Sequence, residues 1–599
     1  MDLWINYLDQ ILIYATLALS LNLLLGYAGQ VSVAHASFGA IGGYAMGYLA
    51  QHSHWNFLLG TMVGMVLAFV IGSIVALPAL KLTVEYLILL TLAVSSVILG
   101  LLIATPSMGG TYGLINLPHP DLFGWHIRGP RDWVAPSLVG MLIVYGICHR
   151  IGESPMGRVL KGIREDPMST QALGKNVFGY KVAIFGITSA LAAFAGSMLS
   201  AWLQLATPGL FGFSFSLTIF AIVIFGGMGN LNGSILGAVV VVLLEPVLRR
   251  LIKMEASRAS VVQLIIYGLA LVVLMRVRPQ GALREGFSPL RWLRGERDTR
   301  ARVEMVEGWV PQGNIAVREH AGVESDPGGG ETVDESERRR ERSWHDAPIV
   351  LETVGIGKRF GGIVAANDLK IELRKGTITA LVGPNGAGKT TVFNLLTGFI
   401  PPDGGSVKLN GEELVGLNPN QVARKGLVRS FQDVRLFNRL SCLQNVMMAV
   451  QHQAGENFAS LVFSHKKVVS VEAQTRAKAM DWLGFVGMAE FADLRAAALS
   501  YGQTKLVSLA RVLATEADVL LLDEPASGID TKWIDTMLDL IEAVREQGRT
   551  VCVVEHNLHV VGRLADHTYF MELGEITAQG TIAELTNTPR LAEAYFGTA

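Results

Sequence analysis

Residues Gly383-Pro384-Asn385-Gly386-Ala387-Gly388-Lys389-Thr390-Thr391 satisfy the pattern G-x-x-x-x-G-K-[ST] in full. The chemistry of that spacing is phosphate binding. Glycines let backbone N–H groups wrap phosphate oxygens, Lys389 brings positive charge to the β- and γ-phosphates, and the Thr390 hydroxyl is a ligand for magnesium. A second group, Val519-Leu520-Leu521-Leu522-Asp523-Glu524, is an apolar run ending in two carboxylates. There Asp523 would hold Mg2+, mainly through water, and Glu524 would polarise an attacking water. A third group, Leu499-Ser500-Tyr501-Gly502-Gln503, stands a short way upstream of Asp523. The first two point to hydrolysis of a nucleoside triphosphate with Mg2+.

These residues need strand ends to hold them. Thr379–Val382 enters the glycine-rich loop, and the following VFNLLTGF has a helical pattern. Val519–Leu522 and Val551–Val554 have the same short, apolar, β-branched character. Such runs alternating with helices predict an α/β domain with a buried parallel sheet, placed at 349–599.

In order and spacing, this segment resembles the ATPase domain of ATP-binding-cassette (ABC) transporters. The resemblance implies further roles. Phe360 stands where the family stacks an aromatic on adenine. Gln432, in Ser430-Phe431-Gln432-Asp433, stands at the glutamine loop that meets magnesium and the membrane subunit. Ser500, Gly502 and Gln503 belong to the signature sequence, which contacts ATP held by an opposing domain. Asp530, in Ser527-Gly528-Ile529-Asp530, lies in the loop after the catalytic glutamate, and His556 matches the histidine that contacts the γ-phosphate. Singly, Phe360 reads as core and His556 as a strand-end histidine; order and spacing favour the site. Tyr501 departs from the commonest signature, which has glycine there, though tyrosine also occurs in the amino-acid-importing branch. The chain has one phosphate loop and one signature, so it must pair with itself or with a second ATPase chain.

The rest of the chain has a different character. Of 599 residues, 50% are hydrophobic and 17% charged, against about 25% charged in an average soluble protein. With a mean hydropathy of +0.38, this excludes a disordered chain and argues against a uniformly soluble one. The 50 basic and 51 acidic residues nearly cancel, which gives no argument for a nucleic-acid partner. Cys148, Cys442 and Cys552 are scattered and form no CxxC pair, as in a reducing compartment for the region of the last two. Residues 1–278 are very apolar, 279–348 form a charged linker with GGG at 328–330 and ERRRER at 337–342, and 349–599 have ordinary soluble composition. A flexible chain of about 50 residues reaches roughly 40 Å, enough to tether a cytosolic domain beneath a membrane.

Apolar stretches near 7–26, 35–50, 57–78, 86–104, 133–149, 181–205, 214–228, 233–249 and 259–276 predict eight or nine spans. The first lacks a basic n-region and is too long for a signal-peptide core. The second is glycine-rich, and one or two spans are expected to be broken or re-entrant. Arg150, Arg158, Lys161, Arg164, Lys175 and Lys181 make the loop at 150–181 cytoplasmic by the positive-inside rule. Nine spans then put the N-terminus outside and the C-terminus inside. In that count Arg249, Arg250, Lys253 and Arg258 face outward, against the rule.

Five stretches resemble the permease of the high-affinity branched-chain amino-acid importer family: Leu21–Gln30, Ala34–Tyr44, Met108–Gly113, Gly162–Pro167 and Phe225–Gly233. The ATPase half resembles the same family through Gly383–Thr391, Phe393–Phe399 and Arg429–Gln432 with Arg435–Phe437. The fold class expected is therefore multidomain: an all-α polytopic membrane domain followed by an α/β P-loop ATPase. The resemblance implies a fused permease–ATPase in a bacterial inner membrane, its ATPase domain cytoplasmic. Closure of two ATPase domains on ATP would be relayed by coupling helices to the spans. Segment 154–175 resembles the coupling helix, with Arg164, Glu165 and Asp166 as contacts. Gln30, Ser32, His35 and Ser37 are polar residues near bilayer depth, read as interhelical hydrogen bonds or as parts of a substrate path. The implied partners are membrane lipid, a second permease and ATPase subunit (a heteromer over a homodimer), a periplasmic binding protein and an amino-acid substrate. Urea, short amides or other amino acids are the alternative cargo. An exporter and a membrane-anchored sensor ATPase are more distant alternatives.

Overall fold

The computed structural model describes residues 2–53, 55–79, 84–122, 124–252, parts of 262–286, and 344–586. The expected ninth apolar stretch, 259–276, is described only in part, and Lys253, Arg258 and most of the linker, including GGG and ERRRER, lie outside the described residues. The chain divides into two compact units: Met1–Arg164 with Val177–Arg297, and Glu165–Asn176 with Asp298–Ala599.

The first unit is helical. Its elements are α1 (Asp2–Asn22), α2 (His35–His52), α3 (Phe57–Ala79), α4 (Val84–Ala104), α5 (Pro130–Gly152), α6 (Pro155–Glu165), α8 (Val177–Leu203), α9 (Phe213–Gly226) and α10 (Leu231–Ile252); α7 (Pro167–Ala172) belongs to the second unit. Among the described residues, six helices are long and apolar enough to cross a membrane, and Phe213–Gly226 is a shorter apolar one. Helix α2 keeps small residues where a soluble helix would carry bulk. Gly196 of α8 lies against the backbone of Gly39 on α2, so a side chain on Gly196 would overlap it. Small residues that allow such approach drive helix association where lipid is as apolar as the side chains. Helix α1 runs into a π-helical turn, Leu23–Tyr27, and ends at Gly29, φ +68°. Short strands β1 (Leu114–Ile115) and β4 (Leu205–Ala206) pair antiparallel, as do β2 (Asp121–Leu122) and β3 (Trp125–His126).

The second unit is α/β. Strands β8 (Ile378–Val382), β11 (Leu427–Arg429), β12 (Val519–Asp523), β13 (Thr550–Val554), β14 (His567–Glu572) and β15 (Glu575–Gly580) form a sheet in the order β11-β12-β13-β8-β14-β15, parallel except for β15. Burial on both faces gives these strands their continuous apolar runs. Alternate side chains enter different cores: Leu520, Leu522, Val551 and Val553 pack under the helices, whereas Val519, Leu521, Cys552 and Val554 meet the second sheet. That sheet is antiparallel: β5 (Ile349–Phe360) with β6 (Ile363–Leu369), β7 (Glu372–Arg374) and β9 (Gly404–Leu409), and β10 (Glu412–Glu413) at its edge. The helices needed below are α11 (Lys389–Leu396), α12 (Tyr501–Leu513) and α13 (Thr531–Glu546).

Candidate ATP site and docking segment

The glycine-rich loop joins the buried strand β8 to α11. Gly388 caps the helix in the left-handed region, φ +105°, and an added Cβ would meet the Met571 side chain at 2.8 Å and press on the Ala365 carbonyl. Only glycine combines that backbone with that approach. Lys389 is buried, and its Nζ donates to the carbonyls of Gly383 (2.7 Å) and Pro384 (3.0 Å). Its charge is thereby held at the loop, where it would neutralise phosphate. Burial lowers the Lys389 ammonium from its usual value, opposed by Glu524 and Asp523. Thr390 and Thr391 occupy the first turn of α11 behind it, and Pro384, Asn385, Gly386 and Ala387 form the loop's arch.

Strand β12 delivers Asp523 and Glu524. Asp523 is buried, and its Oδ2 is held by Arg429 at 2.9 Å. Its Oδ1 is buried and has no hydrogen-bond partner among the described residues. Burial raises this carboxyl, with Arg429 opposing the rise. Glu524 has φ +48°, strained for a residue with a Cβ. The Glu524 carboxylate accepts from Gln432 Nε2 at 2.9 Å and lies 4.0 Å from His556 Nδ1. The carbonyl of Glu524 accepts from the buried Lys505 Nζ at 2.8 Å. Glu555 is buried beside them, accepting from the Ala526 N–H at 3.0 Å, and burial raises its carboxyl.

Gln432, Asp523, Glu524 and His556 thus meet through direct contacts or sequence adjacency at the strand ends. The signature residues do not bond to them. Ser500 caps α12, in a reciprocal box with Gln503: the Gln503 N–H donates to Ser500 Oγ, and the Ser500 N–H donates to Gln503 Oε1. Gly502 lies against the Trp533 ring of α13, and Asp530 caps that helix. Phe360, 46% exposed at the end of β5, presents its ring to solvent with Lys358 Nζ 5.8 Å from its centroid. Exposure removes the reading of Phe360 as core. Arg429, Lys505 and Glu555 were missed as site residues. Arg429 faces Asp523 because β11 pairs with β12 in parallel register, Arg429 opposite Leu521, which only the fold discloses.

The metal test rests on Asp523. An orphaned, buried carboxylate oxygen beside a threonine-headed phosphate loop fits Mg2+, which binds through one or two carboxylates, phosphate oxygens and waters. Thr390, Gln432 and Asp523 are the residues that would hold it.

Segment Glu165–Asn176 forms part of this unit. Asp166 caps α7, Pro167 starts it, and Asp166 Oδ2 pairs with Arg435 at 3.1 Å. Ser169 Oγ donates to the Arg435 carbonyl, and Gln451 Nε2 to that of Leu173. Lys175, buried, donates to Val450 O (2.8 Å) and Glu456 (2.5 Å). Glu165 and Asp166 therefore meet residues just after Gln432, Glu165 accepting from the Arg439 N–H. Arg164 differs from the expectation: it clusters with the helical unit, donating to the Gly26 carbonyl and pairing with Glu285 at 2.9 Å. On a helix, neighbouring side chains diverge, so adjacent residues serve different units.

In the helical unit, Asn22 Nδ2 donates to Gly227 O, Asn230 O and Ser234 Oγ, while its Oδ1 accepts from the Gly229 N–H. His35 bonds Ser20, and Ser37 bonds Ser95. Gln30 Nε2 and Ser32 Oγ have no hydrogen-bond partner among the described residues.

A phosphate loop, a carboxylate pair and a capped signature on a mainly parallel sheet, in one chain with apolar helices, define an ABC transporter with membrane and nucleotide-binding parts. The family pattern described as branched-chain amino acid transport system / permease component matches residues 3–275, and that described as ABC transporter matches 366–527. The high-affinity branched-chain amino acid transport ATP-binding protein BraF of Pseudomonas aeruginosa is 38% identical over 251 residues, 42% of this chain and 98% of BraF. LivG of Escherichia coli K12, of the same description, is 36% identical over 251 residues, with the same shares. The crystal structure of a nucleotide-free ATP-binding cassette from an ABC transporter has 30% identity and TM-score 0.37, covering 42% of this chain and 100% of that one. The chain belongs to the ABC transporter family of branched-chain amino-acid transport, with permease and ATP-binding components fused.

Proposed function

We propose that this protein imports leucine, isoleucine or valine across a bacterial inner membrane, driven by ATP hydrolysis in a cytoplasmic ATPase domain. The observation that carries the reading is that two parts of one chain independently match components of the same transport system. The division we adopt is a permease at 1–278, a linker at 279–348 and an ATPase at 349–599. Gly383–Gly388 wrap the phosphates, and Lys389 leaves the Gly383 and Pro384 carbonyls for the β- and γ-phosphates. Phe360 stacks on adenine. Bound Mg2+ would neutralise developing phosphate charge, held by Thr390, Asp523 and Gln432. Glu524 orients and polarises the attacking water, with Gln432 and His556 beside it. Ser500, Gly502 and Gln503 serve the nucleotide of an opposing domain, followed by Asp530 in the loop that closes on it. That second domain comes with a second permease, and a periplasmic binding protein delivers substrate.

The test is labelled-leucine uptake by cells expressing the chain with its partner subunits and binding protein. Uptake suppressed by excess isoleucine and lost in Glu524→Gln is the expected result. No leucine accumulation alongside intact wild-type ATP turnover in membranes rejects the cargo and moves urea and short amides ahead.

A further inference from the structure

A line of side chains joins the ATP site to segment Glu165–Asn176. Asp523 Oδ2 holds Arg429 at 2.9 Å. The Arg429 guanidinium lies 5.2 Å from the centroid of the Phe431 ring, and the Arg435 guanidinium lies 4.9 Å from the same ring. Arg435 in turn pairs with Asp166 at 3.1 Å. Both cations fall within the distance at which an aromatic ring attracts positive charge. The order is carboxylate, guanidinium, ring, guanidinium, carboxylate. Each cation is neutralised by its own acid, and the ring ties together two groups that would otherwise repel.

The two ends of this line are poised to respond. Asp523 keeps one oxygen, Oδ1, without a hydrogen-bond partner among the described residues. A cation taken up there competes with Arg429 for the carboxylate charge. With Ser430, Lys505 and Asp523, Phe431 lines a small cleft open to solvent. At the far end, the second Asp166 oxygen accepts the N–H groups of Met168 and Ser169, so displacing Asp166 re-aims the first turn of α7.

We propose that Phe431, held between Arg429 and Arg435, is the positioning residue that transmits the state of Asp523 to Asp166 and the docking segment. This deepens the transport reading and rests on its assignment of Asp523 to the nucleotide site, but not on the cargo.

The experiment is hydrogen exchange of residues 165–176 in the full chain in lipid nanodiscs, with and without MgATP, on a Glu524→Gln background that retards hydrolysis. Coupling between sites is typically 5–150-fold, so MgATP is expected to change exchange of the segment by about tenfold. Phe431→Leu keeps apolar bulk and removes the ring; it is expected to cut that response to below about twofold, with ATP affinity within about threefold. Phe431→Tyr should restore it. A parent chain without a response, a Phe431→Leu response equal to the parent's, or no rescue by tyrosine overturns the proposal. So does equal loss of ATP affinity and response in Phe431→Leu. Failure of leucine uptake leaves this readout untouched, so the two readings fail separately.

Discussion

The two units bury polar groups in opposite ways. In the helical unit the interior groups that find partners are mostly neutral and short: Asn22 with the Gly227–Ser234 turn, His35 with Ser20, Ser37 with Ser95. In the ATPase unit buried, paired ions join such neutral groups: Arg429 with Asp523, Lys175 with Glu456. Taking an ion from water costs several kcal/mol even after relaxation, whereas a neutral group satisfied by one hydrogen bond costs little. A membrane interior leaves no water to soften the cost, so the helical unit uses amides and hydroxyls. The ATPase unit needs carboxylates for its chemistry and counter-ions to keep them buried. Charged exceptions in the helical unit are the Arg164–Glu285 pair and Asp9, a buried carboxylate on α1 whose oxygens find no hydrogen-bond partner among the described residues.

The sharpest way to break this comparison is Arg429→Met, which strands the Asp523 carboxylate. Removing one partner of a buried pair costs about 3–5 kcal/mol, and the upper half of that range is expected because both side chains are almost fully enclosed. Thermal unfolding of the purified chain, followed by protease resistance of the ATPase unit, measures it. A cost below about 1 kcal/mol would mean that Asp523 is not held as an ion.

Lys175→Met should come next, at about 3 kcal/mol, since Glu456 retains 13% side-chain exposure and can regain water. Hydrogen exchange at 165–176 locates the damage. Faster exchange confined to that segment and its partners is the expected pattern, and an unchanged segment would remove Lys175 as its anchor.

The nucleotide chemistry was legible in the sequence because each motif is local. A phosphate loop is contiguous, and Asp523 with Glu524 closes a single strand. Arg429 could not be found in that way, because its partner is remote in sequence and meets it only through the β11–β12 register. Arg164 and Asp166 show the same limit. The sequence marks both as basic-loop or docking residues, but α6 ends at Glu165 and Asp166 caps α7, so one goes to Gly26 and Glu285 and the other to Arg435. The helices of the membrane unit were legible from apolar runs. Their pairing was not, because close glycine contacts such as Gly39 with Gly196 depend on which helices meet.

Asn22→Leu tests the neutral side of the comparison. It leaves the Gly229 N–H and the Gly227 and Asn230 carbonyls without their side-chain partner. A buried polar group left unsatisfied costs about 1–3 kcal/mol, and about 2 kcal/mol is expected, because backbone turns can re-pair some of the groups. The readout is the thermal midpoint of the chain in detergent, with ATP turnover unaltered at lower temperature.

Ser37→Ala should have the smallest effect. It deletes one hydroxyl and leaves Ser95 Oγ to turn back on its own helix, as Thr16 and Ser197 do by bonding carbonyls one turn earlier. A neutral hydrogen bond contributes about 1 kcal/mol net, and the loss should not exceed that. Leucine uptake measured beside stability makes this informative. A small loss of stability with uptake unchanged keeps the Ser37–Ser95 pair as scaffold between α2 and α4. Uptake abolished at unchanged stability would move Ser37 into the substrate path and end the rule that satisfied neutral groups in the helical unit serve packing alone.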